Sequence, residues 1–192
     1  MRNFILQTIP DKIIVDTEEK VLIVALFSLV LEHHGAVLHL LKAGRFDGSA
    51  LALVRPLIEA SYRGHWIYCC ATPEAIKQIS VGKDAYPKLP RMASDVEKKL
   101  GTGGYFAAIV PHLRTLHGYT HGGMEQLARR YDAPLGNVRP TYPDEIKAEN
   151  IRVTTAHLTA LAIAYCQLIS QEKSAGADPL AKAISEFYLP VA

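Results

Sequence analysis

One short segment of the chain carries residues that could perform acid–base chemistry on a charged substrate. It spans 114–123 and contains Arg114, His117 and His121, with Tyr119 between the histidines and glycines nearby. Histidine gives or takes a proton near neutral pH, and the planar fork of an arginine holds a charged oxygen through several donors. These residue types at this spacing indicate chemistry on a phosphodiester. A metal site and an ordinary helix end are alternative interpretations.

The reaction that fits these residues is cleavage of RNA, because RNA supplies its own nucleophile in the ribose hydroxyl beside the scissile phosphate. In this hypothesis His121 moves the proton, while Arg114 contacts the nonbridging oxygens and stabilises the extra negative charge of the transition state. His117, or His121 of a second copy of the chain, supplies the complementary acid or base. Tyr119 is a candidate substrate-binding donor. DNA would not be cleaved because it lacks this hydroxyl.

Two alternatives explain the same segment without phosphodiester chemistry. Histidines four residues apart lie on one face of a helix, so His117 and His121 could bind a metal ion with a third protein ligand. The neighbouring glycines weaken a helix, however, and no Glu-x-x-His motif completes a di-iron bundle site. In the other alternative, Arg114 and His121 only stabilise the negative end of a helix dipole. We predict a function that needs no metal and no cofactor.

A second group of charged residues, Arg55, Glu59 and Arg63, recurs every four positions within an apolar segment. This spacing places all three on one face of a helix. One interpretation is an internal ladder of ion pairs, in which both arginines flank the glutamate. In the other, Glu59 orients a side chain of the Arg114 segment and the arginines contribute to an anion-binding pocket. The second interpretation makes all three residues candidates for substrate binding.

The composition is that of one globular domain rather than a strongly basic nucleic-acid binder. The chain has 192 residues, and 21 lysines and arginines against 19 acidic residues give a formal net charge of +2. This small excess argues against a dedicated binder of duplex DNA, although a local patch could hold a short nucleic acid. We predict a single domain over 1–192 that begins with a short irregular arm over 1–15.

The cysteines and the apolar segments indicate a cytoplasmic protein. Cys69, Cys70 and Cys166 fit small buried residues in a reducing compartment better than a disulfide framework. The N-terminal residues lack the long apolar region and the cleavage site of a signal peptide. The most apolar run, 21–31, is shorter than the roughly 20 residues that cross a bilayer, so it predicts a buried helix and no membrane association.

The pattern of apolar residues, caps and breakers predicts an all-α protein. A capping pattern at 16–19 begins a long helix, and Gly44 ends it. A second helix over 49–71 contains Pro56, which either kinks it or lies near its first turn. A third helix begins at Thr72, where a proline follows the capping residue.

More helices follow a long loop over 81–90, with a turn-rich stretch over 133–143 between two of them. These predicted helices span 94–100, 105–116, 124–131, 144–173 and 178–189. Strand signals are weak and are confined to 4–9 and 12–15. The alanine-rich part of the 144–173 helix predicts close packing at the centre. Together the elements predict an up-and-down helical bundle of about five to seven helices with one long loop.

Four further histidines belong to no recognisable motif. His39, His65, His112 and His157 are each isolated among apolar residues. Such isolation is typical of hydrogen-bonded histidines in the core or at its boundary. We therefore assign no chemistry to them.

The Arg114 segment resembles the motif of the HEPN superfamily of prokaryotic helical-bundle proteins. That motif is an arginine followed by four to six residues and a histidine, and six residues separate Arg114 from His121. The phrase over 119–123, after a helix with the Arg55 pattern, is also similar to a set of bacterial HEPN-like proteins. The resemblance covers about 21–165 and rests on a short motif.

The resemblance implies an all-α HEPN-like fold, a homodimer that brings two copies of the motif together, and metal-independent cleavage of RNA. Many HEPN proteins act as toxins or in antiviral defence, so it also implies an inhibitor or antitoxin protein as a partner. A hypothesis of a different class remains beside it. The chain could be a noncatalytic helical dimer that binds a partner protein or a small ligand through the same pocket.

Overall fold

The described part of the chain is all-α, as the sequence predicts. A computed structural model describes residues 16–132, 136–138 and 142–169. Its helices are α1 (Glu18–Ala43), α2 (Asp47–Ala52), α3 (Val54–Cys69), α4 (Pro73–Ser80), α5 (Leu89–Leu100), a 3-10 helix (Ala107–His112), α6 (Leu113–Thr120), α7 (Met124–Ala128) and α8 (Asp144–Ile169). The fold is a helical bundle, and this confirms the predicted fold class.

Two strands of two residues each accompany the helices. β1 (Tyr131–Asp132) and β2 (Asn137–Val138) pair in antiparallel orientation. β2 lies within the stretch over 133–143 that is predicted to be rich in turns, whereas β1 directly precedes that stretch. The predicted arm over 1–15, with its two strand candidates, and the predicted last helix over 178–189 lie outside the described residues.

α1 is one continuous helix of 26 residues, which confirms the predicted long first helix. Thr17 caps its start, because the Thr17 hydroxyl accepts a hydrogen bond from the backbone N–H of Lys20 at 3.2 Å. Gly44 ends the helix in the left-handed conformation, with φ +68°, which glycine adopts without steric cost. Local sequence signals therefore set both ends of α1.

α1 is also long and apolar enough, by length and composition, to cross a membrane. Its most apolar window of 18 residues has a mean hydropathy of 2.0, and the helix extends well beyond the run over 21–31. In the structure α1 packs against α3 and α8. Because the core helix of a soluble bundle has the same composition, this property by itself assigns no membrane location.

The predicted second helix over 49–71 is wrong as a single element, because the chain forms two helices that meet at Leu53. Pro56 is the third residue of α3. A proline is tolerated there because the N–H groups of a first turn have no acceptor within the helix. The alternative that placed Pro56 near a first turn is therefore confirmed.

Prolines also explain two further differences from the predicted helices. α5 begins at Leu89, ahead of the predicted start at Ser94, because Pro90 fits the first turn of a helix. The predicted helix over 105–116 is instead the 3-10 helix followed by α6, with Pro111 inside the 3-10 segment. Pro111 has no N–H for a regular α-helical bond, so the α-helix starts only after it.

Other boundaries follow the caps more closely. The Thr72 hydroxyl accepts a hydrogen bond from the backbone N–H of Ala75 at 3.3 Å, as expected at the start of α4. The predicted end of α5 at Leu100 is confirmed, and Gly101 follows it in the left-handed conformation. α7 ends at Ala128, short of the predicted end at Tyr131, which belongs to β1.

The core lies where α1, α3 and α8 meet. Leu57, Leu158 and Leu161 are fully buried, and the ring of Phe27 stacks on that of Tyr165 with centroids 5.1 Å apart. Apolar side chains from three helices thus remove one another from water, which stabilises the bundle. The predicted central position of the alanine-rich helix, α8, is confirmed.

Gly64 allows α3 to approach α8 closely. A Cβ atom at this position would lie 2.6 Å from Cδ1 of Leu161. Carbon atoms in contact are ordinarily about 3.5–4.0 Å apart, so any side chain would force the two helices apart or displace the leucine. The absence of a side chain at 64 is therefore a requirement of this helix interface.

The carboxylate of Glu97 holds the loop over 101–106, which connects α5 to the 3-10 helix. It accepts hydrogen bonds from the backbone N–H groups of Gly104 at 2.8 Å and Phe106 at 3.0 Å, and from the Thr102 hydroxyl at 2.8 Å. Burial raises the pKa of Glu97, but these hydrogen bonds favour the ionised form and bring the pKa below its ordinary value. The loop thereby places Phe106 in the core.

Candidate functional site

The three residues predicted to carry the chemistry share one exposed face of α6. Arg114 and His117 lie within the helix, and His121 is the residue directly after it. All three are exposed, whereas Leu116 and Tyr119 are buried. Separations of three and four residues keep side chains on the same side of a helix. The structure therefore presents one guanidinium and two imidazoles to solvent on a common surface.

The two imidazoles are neighbours. The ring centroids of His117 and His121 lie 4.3 Å apart, and the ring planes are inclined by 47°. The backbone N–H of His121 donates to the carbonyl of His117 at 3.0 Å, which holds the two residues one turn apart. Within the part of the chain that the structure describes, no hydrogen bond or ion pair occupies either ring or the Arg114 guanidinium. All three groups can therefore meet a substrate.

The turn after α6 folds back onto Gly118. The carboxylate of Glu125 occupies the position that a side chain at 118 would need. The backbone N–H of Gly123 also donates to the carbonyl of Gly118 at 2.8 Å, and Gly122 adopts a left-handed φ of +66°. α6 continues through Gly118 to Thr120, so this glycine does not end the helix. It makes room for the turn that fixes His121.

Of the predicted ladder on α3, the structure forms one half. Nε of Arg55 lies 2.7 Å from Oε1 of Glu59. Arg63 instead lies over the ring of Tyr86, with its guanidinium carbon 5.0 Å from the ring centroid. The prediction that both arginines pair with Glu59 is therefore wrong. A cation–π contact with a residue of the loop takes the place of the second ion pair.

Arg55 also connects this group to the Arg114 segment. Its Nη1 donates to the backbone carbonyl of Leu113, the first residue of α6, at 3.4 Å. Among the described residues, Glu59 bonds to Arg55 and not to a side chain of the segment. Glu59 therefore acts on α6 through Arg55 and the backbone, which differs from the predicted direct contact with a histidine or Arg114.

Tyr119, the predicted substrate-binding donor, is only 8% exposed. It packs with Leu51 and Tyr142 in a small apolar cluster. The side-chain amide of Gln126 donates to the backbone carbonyl of Tyr119 at 2.6 Å and to that of Gly48 at 3.1 Å. The structure thus gives Tyr119 a packing position, and its contact with a substrate stays a prediction.

Two of the isolated histidines meet in the core. Nδ1 of His65 donates to the backbone carbonyl of Ser61 at 2.7 Å, and the Ser61 hydroxyl donates to the carbonyl of His157 at 3.3 Å. Burial lowers the pKa of His65, and burial together with the neighbouring His65 lowers the pKa of His157 to about 3. The interpretation as hydrogen-bonded core histidines is confirmed for this pair, whereas His39 and His112 are exposed.

A metal site at His117 and His121 needs a third protein ligand. Over 16–132, 136–138 and 142–169, no group of three or more His, Cys, Asp or Glu side chains could hold a metal ion. Two imidazoles alone make a weak site, because zinc in proteins takes three or four protein ligands. The described geometry suits proton transfer better than metal binding.

A comparison with protein-family models relates the chain to a known family. A model with the description Family of unknown function (DUF6988) matches residues 27–188. The chain belongs to this family. The DUF6988 match extends from within α1 past the end of α8, so it includes both the Arg55 group and the Arg114 segment. No curated protein and no solved structure matches the sequence.

Three features of the site could not be found in the sequence. They are Tyr86 against Arg63, Glu125 against Gly118, and the bond from Arg55 to Leu113. Each contact joins residues of different elements, and such contacts depend on how the elements fold together rather than on a local period. The glycines around His121 predicted only a weakened helix, and the structure shows that Gly122 and Gly123 form the turn that follows it.

Proposed function

We propose that this DUF6988 protein is a metal-independent ribonuclease that acts through Arg114, His117 and His121. The observation that carries the proposal is the pair of exposed imidazoles, with ring centroids 4.3 Å apart, on the face that also presents Arg114. Cleavage of a phosphodiester needs a base, an acid and a cation for the transition-state charge. This surface offers two imidazoles and one guanidinium.

The proposed reaction begins with the scissile phosphate against Arg114, whose guanidinium donates to the nonbridging oxygens. One imidazole takes the proton of the ribose 2′-hydroxyl as its oxygen attacks phosphorus. The bond from phosphorus to the 5′-oxygen of the next nucleotide breaks, and the second imidazole gives a proton to that oxygen. A cyclic phosphate remains. Both rings are exposed, so they can rotate apart to admit the phosphate.

Arg55 and Glu59 would be positioning residues in this reaction rather than catalytic ones. Glu59 holds Arg55 at 2.7 Å, and Arg55 donates to the carbonyl of Leu113 at 3.4 Å. Leu113 directly precedes Arg114 in the chain. This connection would keep the start of α6 in place on α3 while the phosphate binds.

The proposal includes a homodimer as well as an RNA substrate. Met124 is 72% exposed and Leu127 is 56% exposed, and both lie on α7, which begins after the two glycines that follow His121. Exposed apolar side chains close to a candidate site are typical of an interface between chains. A two-fold contact there would bring two copies of the histidine face together. The HEPN resemblance further suggests an inhibitor or antitoxin protein that restrains the activity.

An RNA cleavage assay in the presence of EDTA tests the proposal. The wild type is compared with Arg114→Ala, His117→Ala and His121→Ala on RNAs of varied sequence. His39→Ala is the matched control, because His39 is an exposed histidine on another helix. General acid–base catalysis contributes about 10²–10⁴-fold, so we expect each histidine variant at the site to lose about 100-fold or more in rate.

The products give a second readout. We expect RNA ends that carry a 2′,3′-cyclic phosphate and no cleavage of DNA with the same sequence. Circular dichroism shows whether each variant is folded. If the folded wild type cleaves none of the RNAs, or if the three site variants cleave as fast as His39→Ala, the proposal is overturned.

A second candidate function, noncatalytic binding of a small apolar ligand, is favoured by a cavity of about 370 Å³. Its lining is mostly apolar and includes Tyr105 and Phe106 on one side and Ala160 of α8 on the other. Cavities of this size hold small molecules. We expect an apolar fluorescent dye to bind the wild type and an exposed-site control, Ala43→Trp, but not Ala160→Trp, whose indole would fill the cavity. Equal binding to all three proteins would exclude this cavity as the site.

A further inference from the structure

A separate cavity of about 350 Å³ lies beside α3, between the loop over 81–88 and the starts of α5 and α6. The charged side chains that line it are Arg55, Glu59, Arg63, Asp84 and Lys88. None of the three residues of the exposed α6 face lines it. Its volume is at the lower end of the range for small-ligand pockets, about 300–1,000 Å³.

Arg63 is the charged residue of this cavity with an unsatisfied donor. Its guanidinium lies over the ring of Tyr86, 5.0 Å from the ring centroid. Nε of Arg63 is buried, and no described residue accepts a hydrogen bond from it. A buried guanidinium donor without an acceptor is costly, and native structures almost always pair such groups. An acceptor atom on a bound molecule would satisfy it.

The other charged groups determine the charge that such a molecule should carry. Arg55 and Glu59 neutralise each other at 2.7 Å. Asp84 and Lys88 are exposed and have opposite signs. Arg63 is therefore left as the uncompensated charge among the lining residues, and a single negative charge balances it. A phosphomonoester, with about 1.5–2 negative charges near neutral pH, would place excess negative charge beside Glu59.

The remaining wall of the cavity is apolar. Pro87, Leu89, Met92 and Leu113 line it together with the ring of Tyr86. We propose that the cavity binds a small organic carboxylate. The carboxylate accepts hydrogen bonds from the Arg63 guanidinium, a geometry that arginine favours, and the apolar part of the molecule packs against these side chains.

Calorimetric titration of the full chain with benzoate, phenylacetate and hexanoate tests this proposal. Benzamide is the matched ligand, because it has the ring of benzoate without the charge. Arg91→Gln is the matched variant for Arg63→Gln, because Arg91 pairs with Asp95 on α5 and does not line the cavity. Loss of a charged hydrogen bond corresponds to about tenfold or more in affinity. We expect that loss for Arg63→Gln and for benzamide, and none for Arg91→Gln.

Nuclear magnetic resonance of the arginine Nε–H groups gives a readout in the wild type itself. We expect the Arg63 signal to shift when the tightest of the three acids is added, while the Arg91 signal stays in place. The proposal is overturned if none of the acids binds the wild type, or if Arg63→Gln binds them as tightly. Tighter binding of inorganic phosphate than of every acid would also overturn the assignment to a carboxylate.

Discussion

His157 is a neutral histidine inside the core, and its ionisation should make stability depend on pH. Burial and the neighbouring His65 lower its pKa to about 3, against an ordinary value of 6.5. Below about pH 6.5 the unfolded chain therefore binds a proton that the folded chain does not. The contribution of His157 to stability is present above that pH and is lost as the pH falls from there toward 3. The lowered pKa of His65 acts in the same direction.

We expect the free energy of unfolding to fall between about pH 7 and about pH 4, and His157→Gln to reduce that slope. One histidine can contribute at most about 1.4 kcal/mol per pH unit, because one proton is involved. Urea unfolding followed by circular dichroism at several pH values measures the slope. His39→Gln, at an exposed position, should keep the wild-type slope. A slope in His157→Gln as steep as that of the wild type would contradict this account.

The four-residue spacing predicted that His117 and His121 share a side of a continuous helix. The predicted helix ended at 116, however, whereas α6 continues to Thr120 and places Arg114 on the same side as both histidines. The partner of Arg63 could not be predicted in this way. Four-residue spacing on α3 indicated Glu59, but Tyr86 from a loop provides the contact. The spacing of residues along one helix shows which of them can contact one another. It does not show which residues of another segment pack against them.

The loop over 101–106 depends on one side chain of the helix before it. Glu97→Ala removes the acceptor of three hydrogen bonds and leaves the N–H groups of Gly104 and Phe106 without it. We expect a loss of at least about 1–3 kcal/mol in the free energy of unfolding, since one hydrogen bond to a charged group is worth up to about that much. Glu74→Ala, at an exposed position on α4, should change stability little. Chemical unfolding of the wild type and both variants measures these changes in the free energy of unfolding.

The same loop should respond to acid. The folded pKa of Glu97 lies below its ordinary value, so its contribution to stability is present above that ordinary value and is lost as the pH falls through the folded pKa. Glu97→Gln cannot ionise and should remove this acid-dependent part. If Glu97→Gln and the wild type lose stability in parallel below about pH 5, the carboxylate does not hold the loop as described.

The interface of α3 with α8 provides a test of close packing. Gly64→Ala places a methyl group 2.6 Å from Cδ1 of Leu161, which is closer than two carbon atoms in contact normally lie. Overpacking of a buried contact costs about 1–3 kcal/mol, so we expect a lower melting temperature by calorimetry. Ser28→Ala, an exposed position on α1, is the control and should melt within a few degrees of the wild type. A stable Gly64→Ala variant would mean that the helices can separate without loss.

Caps predicted element boundaries better than prolines did. Thr72 and Gly101 occupy the cap positions that their residue types indicated. Pro90 was assigned to a loop, and Pro56 either to a kink or to a first turn, and the structure places both in first turns, where a proline can also continue a helix. The sequence does not distinguish these two uses of proline, because the choice depends on the chain that precedes it.

The whole chain should associate through the apolar surface next to the histidines. We expect sedimentation equilibrium to show a dimer, and Leu127→Arg to convert it to a monomer by placing a charge on a side chain that is 56% exposed. Val21→Arg is the matched control, because Val21 is 51% exposed on α1. Leu127→Arg should lose RNA cleavage together with the dimer, whereas Val21→Arg should keep both. A monomeric wild type, or a dimeric Leu127→Arg, would contradict the expected interface.

The helical bundle itself was predictable because nearly every segment has a helical period and few strand signals. The arrangement of α1, α3 and α8 around the core could not be predicted from the sequence in the same way. Their apolar residues show that each helix is buried, but partners such as Phe27 and Tyr165 come from opposite ends of the described chain. A contact between residues so far apart in the sequence depends on how the whole chain folds, and a single sequence does not show which distant residues meet.

This separation has a consequence for synthesis on the ribosome. α1 can pack against α3 once Cys69 has emerged, but α8 is complete only at Ile169. At about 5–20 residues per second, the intervening segment takes about 5–20 s to translate. During that time Phe27 lacks the Tyr165 ring, and an apolar surface of the nascent chain faces water. We expect a ribosome-bound chaperone to raise the folded yield, and translational pauses before α8 to lower it.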